Sequence, residues 1–202
     1  MFSFTRLRGA DPTLGVEMAS TGEVACFGET AHEAFMQAML AAGFKLPNKN
    51  RSILLSIASD SFRAEFADAA LIFDKLGYKL YGTPGTTLYY KKNHGLNLSL
   101  VTKPVNEGDS GVCPTTGVPT ALKEIQEGRI DMVINVSEGT TRRDEITSGY
   151  MIRRAAVDFG VSLVTNVKCA VWVAECLDMG MESFKAKHIG EFHKLPTIGW
   201  SK

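Results

Sequence analysis

Ile53-Leu-Leu-Ser-Ile57, Tyr78-Lys-Leu-Tyr81 and the residues between them decide the fold. The first segment is a continuous apolar run, short enough for a buried strand. Phe62, Phe66, Ala70, Phe73 and Leu76 follow at helical spacing and Gly77 closes them, so a helix separates two strands. A strand, a helix and a second strand make a crossover unit, and a crossover pairs its strands in parallel. The unit repeats downstream. Gly82-Thr-Pro-Gly-Thr-Thr87 leads into a short helix to about Asn93, and Leu96 to Val101 reads as a third strand. A Gly/Pro/Thr-rich loop from Lys103 to Gly117 precedes a helix carrying Val118, Leu122 and Ile125. Met132-Val-Ile-Asn135 and Val161 to Thr165 are the fourth and fifth strands, with helices over Tyr150–Phe159 and Lys168–Leu177. The expected fold class is α/β, a five-stranded parallel doubly wound sheet with helices on both faces.

Upstream of this repeat the character changes. Residues 1–28 are rich in Gly, Thr and Ser and carry no amphipathic helix, so they read as an extended arm that must pair with something else. Thr30-Ala-His-Glu33 is a capping box, and Phe35, Met36, Met39 and Leu40 mark the apolar face of the helix that follows, which Gly43 stops. Lys45-Leu-Pro-Asn-Lys-Asn50 reads as a polar linker, so 29–50 is a connecting helix and linker, 51–180 the α/β domain and 181–202 a tail. In that tail Phe184, His188 and Phe192 are spaced to dock one face.

The composition narrows the function. In 202 residues, 22 basic side chains balance 22 acidic ones, which argues against a nucleic-acid or membrane-surface partner, since both need a basic excess. No apolar run approaches the ~20 residues of a membrane span. Cys26, Cys113, Cys169 and Cys176 form no CxxC or CxxH pair, which argues against zinc and for reduced core thiols in a cytosol-like compartment.

In a doubly wound sheet, ligands sit beyond the carboxyl ends of the strands, near the point where strand order reverses. Those positions hold Ser59, Asp60, Ser61 and Arg63, then Thr83, Gly85, Thr86 and Thr87, then Lys103. After the fourth strand come Asn135, Ser137, Gly139, Thr140, Thr141, Arg142 and Arg143, and after the fifth Thr165 and Asn166. The set is rich in hydroxyls, glycine and cations and poor in carboxylates, which suits a phosphate or carboxylate ligand. Each residue alone has an ordinary explanation as turn, cap or solvated charge. It is their convergence on one edge that points to a ligand.

Catalysis finds little support in the same residues. No GxSxG elbow, P-loop or GxGxxG is present, and the histidines at 32, 94, 188 and 193 lie on helices or in the tail. Asp60 and Asp109 are the carboxylates placed like a general base, and Asp109 sits in a Gly-rich turn.

A family resemblance extends this reading. Phe2 to Ala25, with Glu17-Met-Ala-Ser-Thr-Gly-Glu-Val24 and the Glu33-Ala-Phe helix after it, resembles the end of the second ATP-grasp half of carbamoyl-phosphate synthetase. From about residue 52 the chain resembles that enzyme's C-terminal regulatory domain, of the methylglyoxal-synthase-like fold. Thr83-Pro-Gly-Thr86, Val133-Ile-Asn135 and Tyr150-Met-Ile-Arg-Arg-Ala155 are the landmarks. The resemblance implies an allosteric, effector-binding, cytoplasmic module with no cofactor of its own. Its parent ligase uses ATP with Mg or Mn, bicarbonate and glutamine-derived ammonia for pyrimidine synthesis. The implied partners are the remaining synthetase and glutaminase domains and a phosphorylated small-molecule effector.

The family pattern also implies which residues meet the effector. The phosphate positions of nucleotide-regulated members fall on Thr83, Thr86, Lys103, Asn135 and Ser137, with Arg63 matching a basic residue of the first loop. Gly85, Arg142, Arg143 and Thr165 complete the candidate set. The urea-cycle type, which answers to N-acetylglutamate, has tryptophan in place of Lys103 and asparagines in place of Glu138 and Gly149. A cation at 103 suits phosphate, so the resemblance implies UTP or phosphoribosyl pyrophosphate. The tyrosine and aspartate that hold ornithine in bacterial members are Leu163 and Val164 here. Two alternatives stay open: an N-acetylglutamate domain, and a stand-alone lyase resembling methylglyoxal synthase.

Overall fold

Alternation of strand and helix along the chain dictates parallel pairing, and the register bears this out. The computed structural model describes residues 25–104, 111–137, 148–181 and 191. Its strands are β1 (Ser52–Ile57), β2 (Lys79–Gly82), β3 (Ser99–Leu100), β4 (Met132–Val136) and β5 (Ser162–Val164). Its helices are α1 (Ala31–Ala41), α2 (Asp60–Glu65), α3 (Ala67–Lys75), α4 (Pro84–His94), α5 (Ala121–Gln126), α6 (Ser148–Asp158) and α7 (Val167–Asp178). The five strands form one sheet, ordered β3-β2-β1-β4-β5, with every neighbouring pair parallel. Growth runs outward from β1 through β2 to β3, then resumes on the other side of β1 with β4. The switch point therefore lies between β1 and β4, where Ile57 faces Val136 and the Ala58 N–H donates to the Val136 carbonyl at 3.0 Å.

The sheet is apolar on both faces, which is why its central strands read as continuous hydrophobic runs. On one face Ile53, Leu55, Ile57, Met132, Ile134 and Val136 pack under α1, α3, α4 and α7, with Met36, Phe66, Phe73, Tyr90 and Val173 buried among them. On the other, Leu54, Tyr81 and Val133 meet Ala121 and Ile125 of α5 and Ile152, Ala155 and Ala156 of α6. Helix α1 is capped by Thr30, whose hydroxyl accepts the Glu33 N–H, and its Met36 is fully buried in the first core. It is held to α7 by His32 Nε2, 2.7 Å from Glu175 Oε2, and by stacking of His32 on Trp172 at 4.8 Å between ring centroids. The linker after α1 is tied down as well. The Lys45 N–H donates to Ser162 Oγ at 2.8 Å, and Asn50 Nδ2 donates to the Gly128 carbonyl at 2.8 Å.

Four details depart from the sequence expectation. The single helix expected from Phe62 to Leu76 is two, meeting at Phe66, which is fully buried while Arg63 of α2 is held back toward the end of β1. Val118 does not belong to a helix: it precedes Pro119, whose ring disfavours helical backbone at the residue before it, and α5 starts only after Thr120. The third strand is ladder-paired only over Ser99–Leu100, because it is an edge strand and Leu96 and Leu98 turn into the core instead. Among the cysteines, all free, Cys176 is buried but Cys169 is exposed, so the expectation of core thiols holds for the first and not the second. Residues 1–24 of the arm, and the tail residues Phe184, His188 and Phe192, lie outside the described residues.

Candidate anion-binding site

Helix α4 begins at the edge where all five strands end. Thr83, its N-cap, is extended, with φ −68° and ψ 157°, and makes no side-chain cap, and Pro84 at the first helical position has no N–H to offer. The first helical bond runs from the Thr87 N–H to the Thr83 carbonyl, so the Gly85 and Thr86 amides point forward as open donors. Thr30, Ser59, Thr120 and Asn166 cap α1, α2, α5 and α7 with their own side chains, whereas α4, like α3, which follows directly on α2, has no side-chain cap. Open amides and the positive end of the helix dipole together attract an anion. Gly85 also keeps this approach clear, since a Cβ there would stand 3.0 Å from an Arg63 guanidinium nitrogen.

The two threonines of the turn differ in role. Thr86 is fully buried, and its Oγ1 accepts from the Ile57 N–H at 3.1 Å and lies 3.3 Å from the Ile57 carbonyl. It staples α4 to the end of β1. Thr83 is 2% exposed and, among the described residues, its hydroxyl meets only Thr86 Oγ1, at 3.3 Å, so it keeps further hydrogen-bonding capacity. Arg63 is engaged on the protein side: Nε donates to the Ile57 carbonyl at 3.0 Å, Nη2 to the Ala58 carbonyl at 2.9 Å, and Nη1 pairs with Asp60. Its role here is to hold the loop after β1 against Gly85. Asp60 is thereby an exposed ion-pair partner of Arg63.

The other strand ends complete the edge. Lys103, after β3, is exposed and forms no salt bridge among the described residues. Asn135, next to last on β4, is 3% exposed and its Oδ1 accepts from Arg153 Nη1 at 2.9 Å. Ser137 follows β4 and Thr165 follows β5, both half-buried. Arg142 and Arg143, and likewise Asp109, lie outside the described residues. The topology thus brings Thr83, Gly85, Thr86, Lys103, Asn135, Ser137 and Thr165 to one edge, with Arg63 beneath it. One participant escaped the sequence reading: Arg153, on α6 and 2% exposed. The signal was there, because a cation standing among Ile152, Ala155 and Ala156 on the core face of a helix requires a buried polar partner.

Among the described residues no group of three or more His, Cys, Asp or Glu side chains is placed to hold a metal ion. No helix there is long and apolar enough to cross a membrane.

The class is an open, all-parallel α/β sheet with hydroxyls, open amides and a cation along its carboxyl edge, an arrangement whose chemistry suits an anionic ligand. Residues 65–165 match the family model described as the MGS-like domain, and the chain belongs to that family. Among curated proteins it is 43% identical over 181 residues to the multifunctional protein CAD of Squalus acanthias, covering 87% of this chain and 8% of that protein. It is 44% identical over 172 residues to the multifunctional protein pyr1-3 of Dictyostelium discoideum, covering 84% and 7%. With the mitochondrial carbamoyl-phosphate synthase [ammonia] of Aquarana catesbeiana it shares 44% over 178 residues, covering 88% and 11%. The chain thus spans about a tenth or less of each of these relatives.

Proposed function

We propose that this chain is the effector-binding regulatory domain of a carbamoyl-phosphate synthetase, and that its effector is a phosphorylated small molecule, UTP or phosphoribosyl pyrophosphate. The observation that carries the reading is the uncapped N-terminus of α4, with its open Gly85 and Thr86 amides, at the carboxyl edge of the sheet. A phosphoryl group there receives two backbone hydrogen bonds and the helix dipole, and Lys103 supplies formal charge. Support for the parent comes from the relatives, in which the matching segment is a small part of a much longer protein. In this reading ATP, its divalent metal, bicarbonate and ammonia are handled by other domains of a cytoplasmic pyrimidine-pathway enzyme, and this domain only biases them. Such control requires the effector to bind two states of the parent with different affinity.

Overall identity does not choose between effectors, because the dogfish multifunctional protein at 43% and the frog ammonia-type synthase at 44% match equally well. The choice rests on Lys103. The second reading, an N-acetylglutamate domain, is favoured by that resemblance to the ammonia-type synthase. A lyase acting on a triose phosphate would need a carboxylate free to act as base beside the phosphate, and Asp60 is paired with Arg63.

Calorimetric titration of the chain with UTP, phosphoribosyl pyrophosphate, IMP and N-acetylglutamate tests the reading. A phosphorylated ligand is expected to bind, and Lys103→Ala is expected to weaken it about tenfold or more, roughly 1.4 kcal/mol. Binding of N-acetylglutamate alone would move the chain to the ammonia type. Methylglyoxal release from dihydroxyacetone phosphate would make it a lyase.

A further inference from the structure

Arg153 has the largest of the fully buried side chains, and it sits on α6 beside the apolar, buried Ile152, Ala155 and Ala156. Burying a guanidinium removes it from water at a high cost, and a Leu or Met would fill the space without that cost. Something other than packing therefore accounts for a cation here. Its place supplies the reason. In β4, Val133 faces the α5/α6 core, and so, by strand alternation, does Asn135, directly across the ladder from Ser56 of β1. Ser56, Asn135 and Arg153 are all buried polar residues, and they stand at the switch point of the sheet, one residue short of the strand ends.

The hydrogen bond between them has a fixed sense. A guanidinium carries donors only, so the atom of Asn135 that lies 2.9 Å from Arg153 Nη1 is the carboxamide oxygen. That leaves the two Nδ2 hydrogens on the other arm of the amide. Among the described residues no hydrogen bond engages them, so they stay available to an acceptor that a ligand brings to the strand-end edge.

We propose that Arg153 is the positioning residue of the effector site: it locks the Asn135 carboxamide with its oxygen inward, so that only donors face the ligand. The proposal rests on the reading of this edge as a phosphorylated-effector site, and it gives that site a basis for selectivity. A phosphoryl oxygen accepts from Nδ2, while a ligand presenting a donor there meets donors alone. Arg153 acts through Asn135, without touching the ligand itself.

The test uses the full chain with UTP and inorganic pyrophosphate as probes, and four variants: Arg153→Lys, Asn135→Ala, their double variant and Asn135→Asp. Arg153→Lys and Asn135→Ala are each expected to weaken UTP binding about tenfold, with the double variant no weaker than Asn135→Ala alone, the signature of two residues acting as one. Losses that multiply in the double variant would overturn the proposal. Asn135→Asp keeps a partner for Arg153 but turns a carboxylate toward the ligand. It is expected to melt no lower than the parent chain while losing UTP binding, and undiminished binding in it would be a contradiction even if Arg153→Lys does not fold. A readout independent of ligand is the Asn135 side-chain amide pair in the 15N spectrum of the free chain. Arg153→Lys should shift or broaden these resonances, and unchanged resonances would refute the locked orientation. Should the parent chain bind neither UTP nor pyrophosphate, the phosphorylated-effector reading fails, and the amide resonances still decide the role of Arg153.

Discussion

Cys113 and Cys176 show how two like side chains acquire different chemistry from their surroundings. The Thr116 hydroxyl, with the Thr115 and Thr116 backbone next in weight, stabilises the Cys113 thiolate and lowers its pKa below the usual 9.0. Cys176 is buried against α1, its Sγ 3.4 Å from the His32 carbonyl, and burial first, then Glu175, pushes its thiol up to about 11. Since the thiolate is the nucleophile, lowering the pKa raises reactivity at neutral pH and raising it suppresses reactivity. Iodoacetamide at pH 7.5 is therefore expected to alkylate Cys113 more than tenfold faster than Cys176, as followed by peptide mass spectrometry. Cys176 should become reactive only as the pH climbs toward 11. At this scale the sequence was a partial guide. Hydroxyls and glycines at strand ends were legible because topology fixes where strand ends lie. That Arg63 is occupied by Ile57, Ala58 and Asp60, and that Thr86 is a staple, were not, because both depend on a loop folding back onto β1.

Among the elements, β2 and α4 form the most tightly fitted joint. Gly82 ends β2, and a Cβ added there would stand 2.5 Å from Thr87 Oγ1 of α4 and 2.7 Å from Leu98 Cδ2. Neither neighbour has room to yield, as Leu98 is buried in the core and Thr87 lies in the first turn of α4. Gly82→Ala is thus expected to destabilise the chain by about 1–3 kcal/mol, the usual range for overpacking, with a corresponding fall in denaturation midpoint. Because the shift displaces the N-terminus of α4, ligand affinity should fall alongside stability. Strands β1 and β4 were legible to within a residue because burial on both faces leaves an unbroken apolar run. Strand β3 was overestimated, since edge pairing is set by a neighbour and not by its own pattern. The helix break at Phe66 was invisible too: the spacing of Phe62, Phe66 and Phe73 fits one straight helix as well as two bent ones.

For the molecule as a whole, the switch point between β1 and β4 unites fold and function. One edge of the sheet collects an uncapped helix end, a buried asparagine whose carboxamide oxygen accepts from Arg153, and an exposed lysine. At the far end of α7 from Thr165, His32, Trp172 and Glu175 fasten α1 to the same domain, so the segment leading in from upstream is part of its packed core. The most direct test of the central claim is a 1H–15N titration of the chain with UTP. The account expects the largest amide shifts at Gly85 and Thr86, with smaller ones at Lys103, Asn135, Ser137 and Thr165, saturating together. Shifts confined instead to the opposite end of the sheet, around Gly43, Lys45 and Ser162, or no shifts at millimolar UTP and phosphoribosyl pyrophosphate, would contradict it.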